Sequence, residues 1–300
     1  MQSFKLFQSV LLLLLPFRVF LGRLVFCLDV FEDSGICIKG LDLAIDPSKK
    51  SPNSNAFISH AHSDHVCLNS TTNFLMSEQT KHLVETIYGK KAKISSHSFG
   101  KKFSMDGFEL SLHNSGHILG SSQLLVEGDK TIAITSDFKL QKSSFLPPAE
   151  ILPADILVIE STFGLPNFVF PERETVCVEI SKWVNENVKK NNFVVMAGYS
   201  LGKAQELTSI LNEYCGISPI VHESIFRNNS AYKELGVKIG NFLELDHNLK
   251  ESNVLIMPPS LVNQDLLRVL EYSIGKNVVS GIATGWQLSL IHISEPTRPY

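Results

Sequence analysis

The chain has no Cys-x-x-Cys pair. Its 5 cysteines, Cys27, Cys37, Cys67, Cys177 and Cys215, are odd in number and scattered over 300 residues. This excludes a disulfide scaffold and a cysteine-rich zinc module, and it points to free thiols in a reducing, cytoplasmic compartment. Neither sign of charge is in excess: 27 Lys+Arg face 30 Asp+Glu, a formal net charge of −3. A globally basic nucleic-acid coat is ruled out, whereas a local basic groove is not. No apolar run approaches the roughly 20 residues of a membrane span. Leu6–Phe17, between Lys5 and Arg18, supplies only 12 uncharged residues. No small-x-small cleavage site follows it cleanly. No repeat or low-complexity segment is present. With 44% hydrophobic and 19% charged residues, the composition suits one large or two modest globular domains.

Both ends are expected to lie outside the fold. Residues 1–28 read as an apolar leader, with a weak signal or anchor as the alternative. From Leu288 to Arg298 the sequence resembles the translation of a sequencing adapter. The natural part of this sequence is therefore expected to stop near Gln287, with the real protein continuing beyond it and 288–300 a non-native tail.

Between the ends the rhythm changes once. Ile36–Ile38, Leu41–Ile45, Ala56–Ser59, Phe108–His113, Gln123–Glu127, Thr131–Thr135 and Ile156–Glu160 read as strands, with a helix at Ser77–Tyr88. After Pro171, strand and helix alternate. Helices are expected over Glu172–Lys189, Lys203–Tyr214, Ser224–Leu235 and Leu261–Tyr272. Strands are expected at Phe193–Ala197, Ile217–His222, Val254–Met257 and Asn277–Val279. Such alternation implies a parallel, Rossmann-like sheet. Two lobes follow, divided near Gly164–Pro171.

The segment richest in chemistry is His60-Ala61-His62-Ser63-Asp64-His65, directly after an apolar strand. Imidazole and carboxylate are good ligands for divalent metals. In an extended loop His60 and His62 point the same way and can clasp one metal, while Asp64 and His65 can face a second. His117 in Ser115-Gly116-His117 and Asp137 in Thr135-Ser136-Asp137 each sit where a strand ends. Glu160 closes an apolar strand. Tyr199–Leu207 joins a strand to a helix, and its amides and Lys203 suit a phosphate, although its spacing is not that of a Walker A loop. An ordinary strand–helix turn with a solvated Lys203 is the alternative there. His82, His97, His113, His222 and His247 read as surface, packing or structural histidines.

The His60–His65 motif, with its place after a strand, resembles the metallo-β-lactamase fold. Glu160 in Ile159-Glu160-Ser161-Thr162 and the Tyr199–Leu207 segment narrow the resemblance to the β-CASP nuclease branch, over roughly residues 29–287. The resemblance implies an α/β protein: an αββα metallo-β-lactamase sandwich (29–167) with an inserted Rossmann-like β-CASP clamp lobe (168–281) and a return segment (282–287). It implies two Zn²⁺ ions. His60, His62 and His117 would hold one, while Asp64, His65 and Asp137 would hold most of the other, with Asp137 bridging. Asp46 would brace the histidine loop from behind. Asp64, Asp137 and Glu160 would serve catalysis, and Ser200, Gly202 and Lys203 would contact phosphate. The implied activity is hydrolysis of single-stranded RNA or DNA with zinc-activated water, with a homodimer allowed and no membrane association. Two further histidines that complete members carry after the clamp lobe do not occur here, so a fragment of weak activity is expected. A small-molecule metallo-hydrolase, thioesterase- or lactonase-like, and a non-catalytic scaffold of a nucleic-acid-processing complex are the alternatives.

Overall fold

A computed structural model describes residues 10–13, 30–89, 92–166, 168–246, 249–284 and 291–294. Most of the expected leader and tail, together with Cys27 and His247, lies outside the described residues. The chain divides into two compact units. The first comprises 1–141 and 146–165, and the second 142–145 and 166–300.

The first unit contains β1 (Val10–Leu13), β2 (Val30–Glu32), β3 (Ile36–Ile38), β4 (Leu43–Ile45), β5 (Asn55–Phe57), β6 (Asn73–Ser77), α1 (Glu78–Tyr88), β7 (Lys93–His97), β8 (Lys102–Met105), β9 (Phe108–Asn114), β10 (Ser122–Glu127), β11 (Thr131–Ile134) and β12 (Ile156–Glu160). They form two six-stranded sheets, ordered β2-β3-β4-β5-β6-β7 and β1-β12-β11-β10-β9-β8. Period-2 alternation decides which side chains meet between them. Leu43, Ile45, Phe57 and Leu75 from one sheet pack on Leu110, Leu112, Leu124, Val126, Ile132, Ile134, Ile156 and Val158 from the other. The result is a sandwich closed by an apolar core. Strand β1 falls within the expected leader, and it pairs antiparallel with β12.

Among the described residues α1 is the one α-helix of this unit. Ser77 caps it, its hydroxyl oxygen accepting from Thr80 N at 3.0 Å. Strands β6, β7 and β8 are absent from the sequence reading. The last two, Lys-Ile-Ser-Ser-His and Lys-Phe-Ser-Met, are polar and partly exposed, so their periodicity is faint.

The second unit contains α2 (Arg173–Lys189), β13 (Phe193–Ala197), α3 (Lys203–Cys215), β14 (Ile220–Val221), α4 (Glu223–Glu234), β15 (Leu243–Glu244), β16 (Val254–Met257), α5 (Gln264–Ile274), β17 (Val278–Ala283) and β18 (Ile291–Ser294). The sheet order is β15-β14-β16-β13-β17-β18. All neighbours are parallel except β18, which runs antiparallel to β17. Helices cover both faces. Val194 and Met196 of β13 pack with α2, α3 and Ile225 of α4, while Phe193 and Val195 pack with Leu270 of α5 and its neighbours. This is a doubly wound, parallel α/β layer structure.

The starts of α4 and α5 differ from the sequence expectation for local reasons. Helix α4 begins at Glu223 because His222 caps it, with Nδ1 accepting from Ser224 N at 3.2 Å. Helix α5 begins at Gln264 because Pro259–Leu261 forms a 3-10 turn. Asn263 then caps α5 through Leu266 N at 2.9 Å.

Candidate metal centre

The site lies within the first unit, at the ends of strands. The loop after β5 carries His60, His62, Asp64 and His65; the β9–β10 turn carries His117; the loop after β11 carries Asp137. Strand ends suit this purpose, because a packed sheet fixes the backbone while the loop turns its polar side chains together.

His60, His62, His117 and Asp137 converge. One ligand atom from each lies within 4.8 Å of all the others. His60 Nε2 is 3.0 Å and His117 Nε2 3.2 Å from the same His62 Nδ1. Asp137 Oδ2 is 3.6 Å from His117 Nε2 and 3.9 Å from His60 Nε2. Three imidazole nitrogens cannot all be satisfied by one another, because each contact needs one proton and one lone pair. His60 is fully buried. Burial, together with His65, His117 and His62 around it, holds the His60 imidazole well below its usual range and therefore neutral. A neutral imidazole is the ligand form for a metal.

Behind this cluster stands Asp46. Its Oδ1 accepts from Ser59 N at 2.7 Å, and its Oδ2 accepts a short hydrogen bond from Ser136 Oγ. His65 Nδ1 is 2.9 Å from the same Oδ2. His65 is 5% exposed, and neither of its ring nitrogens has an aligned hydrogen-bond partner. Its Nε2 faces Asp64 Oδ2 and Asp137 Oδ1, each at 3.8 Å. Burial works against a charged His65, but Asp46, Asp137 and Asp64 outweigh it and lift the group to about 9. Asp46 is itself buried, yet His65, Ser136 and Ser59 hold its carboxyl below the usual range. Burial pushes Asp137 up to about 6 against the pull of His65, and the charges of Glu160, Asp46 and Asp64 add to the push. Raised to about 9, His65 is itself the cation that faces these carboxylates, and on losing its proton its Nε2 becomes a ligand atom beside Asp64 and Asp137.

The loops are held by their own chemistry. Asp46 and Ser136 take positive φ values of 45° and 48°, a conformation costing about 1–3 kcal/mol per non-glycine residue. Gly116 has φ +70°, and a Cβ there would stand 2.6 Å from Lys139 O, so the turn before His117 needs glycine. Ser121 Oγ accepts from His117 N and Ile118 N, both at 3.1 Å. Tyr88 OH donates to Ala61 O at 3.1 Å and so pins the histidine loop to the end of α1.

Glu160 does not share this convergence. Its Oε2 accepts from Thr162 N at 2.7 Å, and it reaches the centre through its charge on Asp137. The residues of the second unit expected to contact phosphate are engaged locally. Gly202 N donates to Gln205 Oε1 at 2.6 Å, and Lys203 Nζ is 3.3 Å from Glu206 Oε2. Arg173 shares that carboxylate oxygen at 3.4 Å. Ser200 O accepts from Gln205 Nε2 at 3.1 Å and from Asn228 Nδ2 at 2.8 Å. Ser59, Ser121 and Ser136 are absent from the sequence reading. The one signal for them was adjacency: Ser59 directly precedes His60, and Ser136 directly precedes Asp137. The isolated histidines also have partners. His113 joins Ser111 Oγ at 3.0 Å and Glu150 Oε2 at 2.9 Å, and His97 stacks on Phe103 with ring centroids 3.8 Å apart.

Comparison with known proteins bears on this geometry. No family model matches the chain. A "Probable DNA ligase" of Opitutus terrae is 31% identical over 211 residues, 69% of this chain and 20% of that protein. RNase aCSPSF2 of Saccharolobus solfataricus is 35% identical over 133 residues, 43% of this chain and 27% of that protein. An RNase J-like protein of Methanocaldococcus jannaschii is 26% identical over 226 residues, 64% of this chain and 49% of that protein. These relatives are metallo-β-lactamase β-CASP nucleases. The two-sheet sandwich with a parallel α/β lobe is consistent with the metallo-β-lactamase/β-CASP fold of these relatives. The chain spans from a fifth to about half the length of these three relatives.

Proposed function

We propose that the protein is a metal-dependent phosphodiesterase that hydrolyses RNA or DNA. The observation that carries this reading is the convergence of His60, His62, His117 and Asp137 within 4.8 Å. Beside it stands His65, whose buried Nε2 is aimed at Asp64 and Asp137 without a hydrogen-bond partner. Three imidazoles and a carboxylate form a donor set that suits zinc. Asp137 faces both groups of ligands, which supports two ions with Asp137 between them. Zinc there would lower the pKa of a water and neutralise charge building on the phosphate oxygens.

The chain's own residues do the rest. Asp46 holds Ser59, Ser136 and His65 in place. Glu160 adds negative charge beside Asp137 and is assigned an electrostatic role in catalysis alongside Asp64 and Asp137. Ser200, Gly202 and Lys203 are assigned to the phosphate backbone of a single strand. Binding there would exchange Glu206 for phosphate at Lys203, because that ion pair already exists. The free thiols Cys37, Cys67, Cys177 and Cys215 suit a cytoplasmic setting. No helix among the described residues is long and apolar enough to cross a membrane.

The test is turnover of labelled single-stranded RNA and DNA by the zinc-loaded chain, beside its His62→Ala variant and beside a generic ester. Cleavage of a nucleic acid that disappears with His62→Ala supports the proposal. Turnover of the ester alone would replace it with a small-molecule hydrolase. Unchanged nuclease turnover in His62→Ala would remove the metal assignment.

A further inference from the structure

Two hydroxyls behind the ligands are placed too regularly to be filler. His60 Nδ1 is 2.9 Å from Ser59 Oγ, Ser59 Oγ is 2.8 Å from Ser136 Oγ, and Ser136 Oγ makes its short bond to Asp46 Oδ2. Three contacts in series need three protons, and the three groups own one each. A charged carboxylate is the strongest acceptor in the row, so the Ser136 proton lies on the Asp46 side. The Ser59–Ser136 contact then has a proton only if Ser59 donates to Ser136. The His60–Ser59 contact then has one only if His60 Nδ1–H donates to Ser59. Any other assignment leaves one buried contact with two lone pairs facing. Ser59 and His60 are 1% and 0% exposed, so water offers no substitute partner.

We infer that Ser59 and Ser136 form a directional hydroxyl relay from His60 to Asp46, and that this relay fixes His60 with Nδ1 protonated and Nε2 bare toward the metal centre. Both serines are positioning residues. The relay gives Asp46 a second task. The carboxylate beside His65 Nδ1 also terminates the chain of donors from His60, so one buried charge sets the orientation of an imidazole in each half of the centre. Ser136 fits the role at a cost, because its positive φ is a conformation in which glycine would sit without strain. A serine kept in a glycine-type conformation is there for its hydroxyl. This inference rests on the metal-centre reading above for its consequence, but not for its geometry, which belongs to the protein alone.

The test uses the full chain, free of metal and then titrated with Zn²⁺ against a competing chelator. Nitrogen-15 NMR of the histidine rings reports the His60 tautomer in the metal-free protein. The wild type is expected to show His60 as the Nδ1–H tautomer, and Ser59→Ala is expected to lose that preference. Ser136→Gly removes the hydroxyl while relieving the backbone, so its thermal unfolding should hold or rise while its zinc affinity falls about tenfold. A merely structural serine would not separate those two readouts. The double variant should lose little more than either single one, because the relay acts as a unit. A metal-free His60 in the Nε2–H tautomer would overturn the relay. So would wild-type zinc affinity in both Ser136→Gly and Ser59→Ala. If instead the wild type and His62→Ala bind zinc equally weakly, the metal-centre reading fails, while the tautomer measurement still decides the relay.

Discussion

Two buried polar side chains, one in each unit, are treated in opposite ways. In the second unit, Gln205 is fully buried and every polar end of its side chain is used. It accepts from Gly202 N and donates to Ser200 O and to Asn229 Oδ1 at 2.7 Å. In the first unit, His65 is nearly as buried and has two nitrogens without aligned partners, while three other imidazoles crowd nitrogen against nitrogen. Burial alone therefore does not mark a functional site. A satisfied network explains itself as architecture; a buried imidazole such as His65, without aligned partners among ligand-type groups, points to something that is to be bound.

That contrast can be broken by substitution, and the largest effect belongs to the first unit. His62→Ala should reduce nuclease turnover by more than the roughly 100-fold typical of losing an outer partner of a metal ligand. Steady-state cleavage of a labelled oligonucleotide measures it. Asp46→Asn should weaken zinc binding by about 10- to 100-fold, since Ser136, Ser59 and His65 all orient on that carboxylate. A chelator-competition titration reads the change.

Gln205→Ala sharpens the other side of the comparison. It should cost about 1–3 kcal/mol of stability through stranded partners while leaving zinc affinity unchanged. Denaturant unfolding and the same titration separate the two. Lys203→Ala should have the smallest effect on stability, less than about 1 kcal/mol, because its partner Glu206 keeps Arg173 and Lys203 itself is partly solvated. If Lys203 contacts phosphate, the salt dependence of oligonucleotide binding should fall by about one unit of slope.

Acidity offers one more probe, for the metal-free protein. His65 is raised from 6.5 to about 9 in the folded state. A raised imidazole stabilises the fold fully below its unfolded value, and that contribution is lost as pH rises through about 9. Melting temperature should therefore drop between pH 6.5 and 9.5, and Asp46→Asn should flatten the drop. An equally steep fall in that variant would assign the effect elsewhere.

Much of this was legible in the sequence where cause and effect lie close together along the chain. His60 and His62 are two residues apart, so their share of the convergence is written in one loop, with Asp64 and His65 following in the same loop outside the four-residue cluster. The runs Phe193–Ala197 and Val254–Met257 are buried at every residue, as central parallel strands are, and their limits are read correctly from apolarity alone. His117 and Asp137 needed a resemblance, because the fold brings them in from 55 and 75 residues beyond His62. Ser59 and Ser136 were invisible for a different reason. A hydroxyl next to a ligand looks like any turn residue until its partner is known, and each one's partner is distant in sequence. Lys203 shows the converse. A lysine at a helix start reads as a phosphate contact, and its pairing with Glu206, three residues on, is not visible in that reading.

The most direct measurement is the zinc content and affinity of the purified full chain, wild type against His62→Ala, by competition titration with elemental analysis. The account predicts stoichiometric zinc in the wild type, a second and weaker equivalent that depends on His65, and loss of the tight site in His62→Ala. Equal, weak binding by both proteins would contradict it.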